Sequence, residues 1–287
     1  LTLATPTIDL DHLQRWVGKK QVAFDTASLR QAEMMRATLD LDAPEPRIDE
    51  TLPPLWTWIY FPDATRNRDL GDDGYPSGAG FLPPIPLPNR MWAGGKFVFD
   101  RPIPIGATME KRSEVASIDH KKGQSGDLLF VKLRHEFFVD GERCVSEDHD
   151  IVYRGATPPT AAASKATTSN PPPAGKYQRD WIPDSIQLFR YSALTFNSNP
   201  VHFDADYCRR TAGYDDILVH GPLSATLLAC LSSEVANAPM KSFTYRARSP
   251  FFLGQRAVMG AQPRAGGCEA QVCLEDGRVI MDATATW

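Results

Sequence analysis

The six histidines are the natural place to look for proton chemistry, since imidazole alone among side chains has an ordinary pKa near neutrality. Two of them share a distinctive neighbourhood. Phe189-Arg190-Tyr191-Ser192-Ala193-Leu194-Thr195-Phe196 runs into Asn197-Ser198-Asn199-Pro200-Val201-His202-Phe203-Asp204, and further on comes Ile217-Leu218-Val219-His220-Gly221-Pro222. An aromatic-rich apolar stretch thus ends in an Asn-Ser-Asn-Pro turn from which His202 emerges, and His220 and Gly221 open a second apolar run. His12 and His120 sit in polar surroundings, His135 on a strand and His149 near a charged strand end, and all four read as surface or structural histidines. There is no GxSxG elbow, P-loop, GxGxxG, HExxH or Cys/His ligand cluster, so nucleophilic serine, nucleotide and metal readings find no support.

These residues need elements to hold them. Leu223 to Val235 is apolar nearly all round, which predicts a buried helix. Pro222 fits its first turn, where a missing N–H does no harm. A second helix is expected over Leu29 to Leu41, led by Asp25-Thr26-Ala27-Ser28. Leu129 to Phe138 and Ala270 to Leu274 alternate as half-buried strands, with hairpin signals at Asp140-Gly141 and Asp276-Gly277. The segment from Phe97 to Gly106 aligns with that from Tyr245 to Gly254, Pro102 and Gly106 matching Pro250 and Gly254. Two halves of one kind follow, each an antiparallel sheet around a helix. The expected architecture is α+β, a double hot-dog in which two curved antiparallel sheets each wrap around a helix.

Proline, at 24 residues, marks the organisation. Phe81-Leu82-Pro83-Pro84-Ile85-Pro86-Leu87-Pro88 is flanked by bulky apolar residues and reads as a packed, extended segment. Residues 156–176, rich in Pro, Ala, Ser and Thr, have too few large apolar groups to offset their ordering entropy and read as a linker. The expected division is therefore 1–155, an N-terminal hot-dog domain without a catalytic motif, the linker 156–176, and 177–287, the catalytic domain. With 31 basic and 35 acidic residues the net charge is −4, which argues against a nucleic-acid partner. No apolar run approaches the roughly 20 residues that span a bilayer. Leu1 to Asp11 has neither the basic nor the apolar region of a secretory signal. Five cysteines without CxxC spacing read as free thiols. The expected location is the cytoplasm, or the mitochondrial matrix in a eukaryote.

The stretch Asn197-Ser198-Asn199-Pro200-Val201-His202 resembles the Gly-Asp-x-Asn-Pro-x-His motif of the MaoC-like, or hydratase 2, family, and Val219-His220-Gly221 resembles that family's entry to the hot-dog helix. Leu55 to Phe61, Gly80 to Pro84, Arg90 to Gly95 and Asp150 to Arg154 are similar to the two-domain members, the 3-methylfumaryl-CoA (mesaconyl-C4-CoA) hydratases and the type 2 3-hydroxyacyl-thioester dehydratases. The resemblance implies reversible addition of water to a 2-enoyl thioester, carried on coenzyme A or an acyl carrier protein, in fatty acid or polyketide metabolism. It implies no cofactor or metal beyond the coenzyme A or phosphopantetheine of the substrate, and leaves room for a homodimer. It assigns His202 and Gly221 to catalysis, His202 as acid/base and the Gly221 N–H as the donor to the enolate oxygen. Asn197 falls where the family has Asp, and an amide can position water or imidazole but takes up no proton.

For the substrate, Arg90 and Trp92 are expected at the acyl wall, Asn199 and His220 beside the motif, and Arg246 and Arg248 where a CoA diphosphate would sit. Asp204 precedes Ala205-Asp206-Tyr207 and reads as a helix cap. The methylfumaryl-CoA subfamily resembled here carries an Arg where Pro200 stands and a pair of arginines where Asn89-Arg90 stands; both differences weigh against a dicarboxylic acyl group. A non-catalytic acyl-thioester-binding protein is the alternative reading, and a thioesterase a weaker third.

Overall fold

A computed structural model describes residues 8–77, 80–123, 126–155, 176–236 and 238–287. Among these residues ten strands form a single antiparallel sheet: β1 (Lys20–Thr26), β2 (Asn89–Phe99), β3 (Thr108–Gly123), β4 (Gly126–Val139), β5 (Glu142–Arg154), β6 (Gln178–Trp181), β7 (Ser242–Ala247), β8 (Ala257–Arg264), β9 (Gly267–Leu274) and β10 (Val279–Thr286). Their order is β1-β3-β4-β5-β2-β7-β10-β9-β8-β6. Reversing the second five gives β6-β8-β9-β10-β7, the same order as β1-β3-β4-β5-β2, so the two halves share one topology and meet where β2 pairs with β7. Gly94 faces Arg246, Gly95 faces Tyr245 and Phe97 faces Phe243 in that seam.

The repeated Pro and Gly have a shared local cause. Gly106 and Gly254 take φ of +100° and +74°, a region that L side chains avoid, at the turns entering β3 and β8. The two hairpins differ in detail. Asp140 and Gly141 are both left-handed, as a two-residue turn of type I′ requires, whereas of Asp276 and Gly277 only the glycine is.

Among the described residues five α-helices accompany the sheet: α1 (Leu10–Gln14), α2 (Leu29–Thr38), α3 (Ser185–Thr195), α4 (Ala205–Tyr207) and α5 (Gly221–Val235). In α5 every residue from Leu223 to Ala229 is buried, as an all-round apolar helix demands. It lies against Phe243, Ala270, Val272 and Ala283 of the second half. Burying each of its leucines contributes about 1.5–3 kcal/mol. The first half holds the shorter α2, capped by Ser28, and supplements it with a 3₁₀ turn over Trp56–Ile59. The Pro-rich segment packs, with Leu87 buried and Phe81, Leu82 and Ile85 against a cluster of Leu13, Ile118, Val131, Ile151 and Tyr153.

The helix α3 was not expected from the sequence, which suggested only an apolar stretch there. Its start carries a cap: Asp184 accepts from the Gln187 N–H at 2.8 Å. All five cysteines are free. Residues 156–175, and with them nearly all of the expected linker, lie outside the described residues. Among the described residues no helix is long and apolar enough to cross a membrane.

Candidate active site

The turn bearing His202 is built by three successive local devices. Phe196 ends α3 in the left-handed conformation, with φ of +51°. The Asn197 N–H then bonds back to the Ser192 carbonyl at 2.9 Å, closing the helix end. Asn197 Oδ1 accepts from the Asn199 N–H at 3.0 Å, and Asn199 Oδ1 accepts from Val201 at 3.1 Å, capping the 3₁₀ turn Pro200–His202. Asp204 caps α4 by accepting from Tyr207 at 2.9 Å. Asn199 is nine-tenths buried and its side-chain oxygen is committed to this turn.

The segment before α5 runs alongside. The Leu218 N–H donates to the Val201 carbonyl at 2.8 Å, and the Leu218 carbonyl accepts from His202 Nδ1 at 2.7 Å. That bond fixes the tautomer: Nδ1 carries the proton, and Nε2 keeps a bare lone pair. The His202 ring stacks on His220, centroids 3.7 Å apart and planes 19° apart. His220 is almost completely buried, its Nε2 is 2.9 Å from the Ser192 hydroxyl, and its Nδ1 has no hydrogen-bond partner. Burial pushes the His202 pKa down to about 4, against the favourable effect of the Leu218 bond, and drives His220 well below its ordinary value. Both rings are neutral at pH 7.

Gly221 is the first residue of α5, so its N–H has no intrahelical acceptor and stands at the positive end of the helix dipole. A Cβ at Gly221 would meet no atom within 4 Å. The space beside that amide is open.

Contacts then lead from the second half into the first and back. Tyr191 packs on His220, with ring centroids 5.0 Å apart, and lies near enough to Tyr245 for a charge on it to oppose ionisation of that hydroxyl. Trp92 Nε1 donates to the Tyr245 hydroxyl, and the Trp92 ring stacks on His149 at 3.9 Å. Arg90 lies near enough to His149 for its charge to oppose protonation of that ring, and its guanidinium sits 4.3 Å over the ring of Tyr75. Gly74, next in the chain, takes φ of +74°. A Cβ there would come within 2.2 Å of the Ser198 carbonyl oxygen, and the Ser198 hydroxyl donates to the Gly74 carbonyl at 2.8 Å. The circuit closes on the Asn197–Asn199 turn.

Of the residues singled out from the sequence, Asn197, Asn199, His202, His220, Gly221, Trp92 and Arg90 belong to this circuit or border it. Arg246 and Arg248 do not. They alternate with Tyr245 along β7 and its continuation, so they project from the other face of the sheet, where Arg248 ion-pairs with Asp282. His120 pairs with Asp127 at 2.7 Å, as a structural histidine would.

His149 departs from the surface or satisfied reading given to it by sequence, whereas His135 fits it, buried with its Nδ1 2.8 Å from the Ser113 hydroxyl. Register explains why. The pairs Ser113↔His135, His135↔Glu147 and Glu147↔Phe97 make one row across the concave face, and Leu133↔His149 and His149↔Gly95 make the next. Glu147 is buried, accepts from Trp58 Nε1 at 3.0 Å, and is pushed up to about 7 by desolvation, opposed by the charge of Lys111. His149 is over nine-tenths buried and its Nε2 has no partner.

A ten-stranded antiparallel sheet of two like halves around buried helices defines a double hot-dog protein. Comparison with known proteins agrees. A MaoC-like dehydratase from Phytophthora capsici superposes with a TM-score of 0.67 at 19% identity, covering 98% of this chain and 99% of the other. A Mycobacterium tuberculosis protein described as having a double hot-dog fold gives 0.54 at 13% identity, covering 94% and 96%. In sequence, residues 55–253 match the hydroxyacyl-thioester dehydratase type 2 family, and the chain belongs to it. The mesaconyl-C(4)-CoA hydratase of Chloroflexus aurantiacus is 35% identical over 94% of this chain and 95% of the relative. The protein is a hydro-lyase of enoyl-thioester hydration and hydroxyacyl-thioester dehydration.

Proposed function

We propose that the chain hydrates a short or branched 2-enoyl-CoA, similar to the substrate named for the Chloroflexus relative, with His202 as acid/base, Asn197 positioning the water and the Gly221 N–H receiving the thioester oxygen. The observation that carries this is the fixed tautomer of His202. With Nδ1–H committed to Leu218, the lone pair on Nε2 is available in a neutral ring, beside a free helix-terminal amide.

The chemistry follows. Water gives a proton to His202 Nε2 as its oxygen forms a bond to the β-carbon. The displaced π electrons move onto the thioester oxygen, giving an enolate. The Gly221 N–H and the helix dipole stabilise that oxygen, a contribution worth about 2.7–4 kcal/mol for one donor in other enzymes. The imidazolium returns its proton, and the α-carbon takes it up as the carbonyl re-forms, leaving His202 neutral again. Because Asn197 Oδ1 is held by the Asn199 N–H, its amide NH₂ is the free end, suited to donate to the water oxygen. Asn197 therefore orients and does not titrate. Trp92 and Arg90 of the first half form the wall toward the acyl group. Coenzyme A or phosphopantetheine enters as part of the substrate.

The test follows the absorbance of the enoyl-thioester conjugation with crotonyl-, hexenoyl- and methylfumaryl-CoA. Loss of that band with at least one short acyl group is expected. Tight binding of every thioester without loss of the band would leave a binding protein in place of an enzyme.

A further inference from the structure

The topology repeated in the two halves gives the described cleft a counterpart, and matching hydrogen bonds locate it. The Leu52 N–H donates to the Ile103 carbonyl at 2.8 Å, as the Val219 N–H donates to that of Phe251 at 2.8 Å. Ile105 donates to Glu50 at 2.8 Å, as Leu253 donates to Ile217 at 2.9 Å. The isolated bridges Thr51↔Pro104 and Leu218↔Phe252 repeat the same relation. Carried along the chain, this register sets Pro53 and Pro54 in the places of His220 and Gly221. In the sheet, where Pro102 and Gly106 match Pro250 and Gly254, Ala238 and Met240 take the places of Arg90 and Trp92. The seam agrees, since its pairs Gly95↔Tyr245 and Phe97↔Phe243 exchange under the same relation.

The chemistry has gone from this copy. Pro54 has no N–H to offer an enolate oxygen, and residues 39–50 contain neither Asn nor His. The space has stayed. A cavity of about 610 Å³, in the size range of small-molecule sites, is lined by Pro53, Pro54 and Thr57 of the first half and Ser233, Ala238 and Met240 of the second. Ser233 lies about 18 Å along α5 from Gly221, so this cavity is separate from the described cleft.

Its walls restrict what it can hold. The charged groups of the lining, Asp100 and Arg101, are each paired, with Arg143 and Glu142. Buried Leu52, Leu55, Ile103 and Val145 make an apolar floor. Thr57 is over nine-tenths buried and its hydroxyl has no hydrogen-bond partner, which leaves one donor for a ligand carbonyl.

We infer that this cavity binds the acyl end of a second thioester without turning it over. The apolar chain lies on the floor, the thioester carbonyl accepts from Thr57, and the carrier stays in solvent. A fatty acid anion does not suit it, because no unpaired cation lines the wall. The inference rests on the thioester reading of the described cleft, from which the ligand class is taken.

Hexanoyl-CoA has no double bond to hydrate, so its binding can be counted apart from catalysis. Equilibrium dialysis should find two molecules per chain in the wild type. Ser233 is exposed on the rim, and Ser233→Trp, whose ring would fill the mouth, should retain one molecule and keep the wild-type rate on crotonyl-CoA. Thr57→Val should weaken the second site about 3- to 10-fold without lowering the melting temperature, since an unsatisfied buried hydroxyl is removed. A Ser233-sensitive site for hexanoyl-CoA upholds the inference even if no thioester is hydrated. Binding that Ser233→Trp leaves unchanged overturns it even if hydration is fast. Displacement from that site by hexanoate at equal concentration would overturn the ligand class, and unaltered affinity in Thr57→Val would overturn the carbonyl contact.

Discussion

The two halves repeat one topology and spend it differently. The second half fills its concave face with the long, apolar α5, whose first N–H and preceding histidine meet the Asn197–His202 turn. The first half has a ten-residue helix instead, and on the face that a longer helix would cover it carries Lys111, Ser113, His135, Glu147 and His149. Buried polar side chains cost stability unless they are bonded, and among the described strands Ser113, His135, Glu147 and His149 of the first half are the buried ones, so its sheet face trades packing for shape and polarity. In the function proposed above, one copy keeps the chemistry and the other shapes the space that faces it.

This contrast can be broken at its strongest point by deleting a single N–H. Proline is compatible with the first turn of a helix, so Gly221→Pro should fold while lacking the amide donor. We expect kcat to fall by about 10²–10³, with the melting temperature little changed. A kcat near that of the wild type would move the oxygen site away from α5.

The seam between the halves offers the next largest effect. A Cβ at Gly95 would lie 2.6 Å from the Asp148 carbonyl oxygen and 2.8 Å from the Tyr245 hydroxyl. Backbone cannot yield cheaply on one side, so Gly95→Ala should destabilise the fold by about 1–3 kcal/mol in denaturant titration. Wild-type stability would mean that Tyr245 does not sit over Gly95.

Acid should act on both halves. His135 and His149 in the first, and His202 and His220 in the second, have folded pKa values held below the ordinary 6.5 by burial. Between the folded and unfolded values the unfolded chain binds more protons, so stability is full above about pH 6.5 and declines as pH falls toward 4. Glu147, raised to about 7, works the other way over part of the same range but is one group against four. Thermal melts at pH 7.5 and 5.5 should show the lower midpoint at 5.5; an equal or higher midpoint at 5.5 would contradict the burial of these rings.

The smallest expected effect concerns Asn197. Asn197→Ala should lower kcat by less than loss of His202 does, and Asn197→Asp should bring no gain, because the amide already holds the turn through Asn199. A faster Asn197→Asp enzyme would show the amide to be a weakened carboxylate.

How much of this could be read from the chain depended on distance along it. The Asn197–His202 turn, the Asp204 cap and the start of α5 are local, built from neighbours within a few residues, and all were legible. The duplicated fold was legible too, through Pro102 and Gly106 against Pro250 and Gly254. The helix α3 was missed although Asp184 and Gln187 carry a capping signal, because Ile186, Phe189 and Phe196 are large and exposed and blur the pattern of an amphipathic helix. His149 was misread for a different reason. Its neighbours Gly95, Trp92 and Arg90 come from another strand, and only the register between β2 and β5 brings them together.

The central claim is that His202, and no group of the first half, moves the proton. Its most direct test is the rate at which the enoyl-thioester band disappears in the wild type and in His202→Ala, with each protein shown to be folded. The account predicts that kcat falls by at least about 10²–10⁴ on the best thioester of the panel. Equal rates for the two proteins would contradict it.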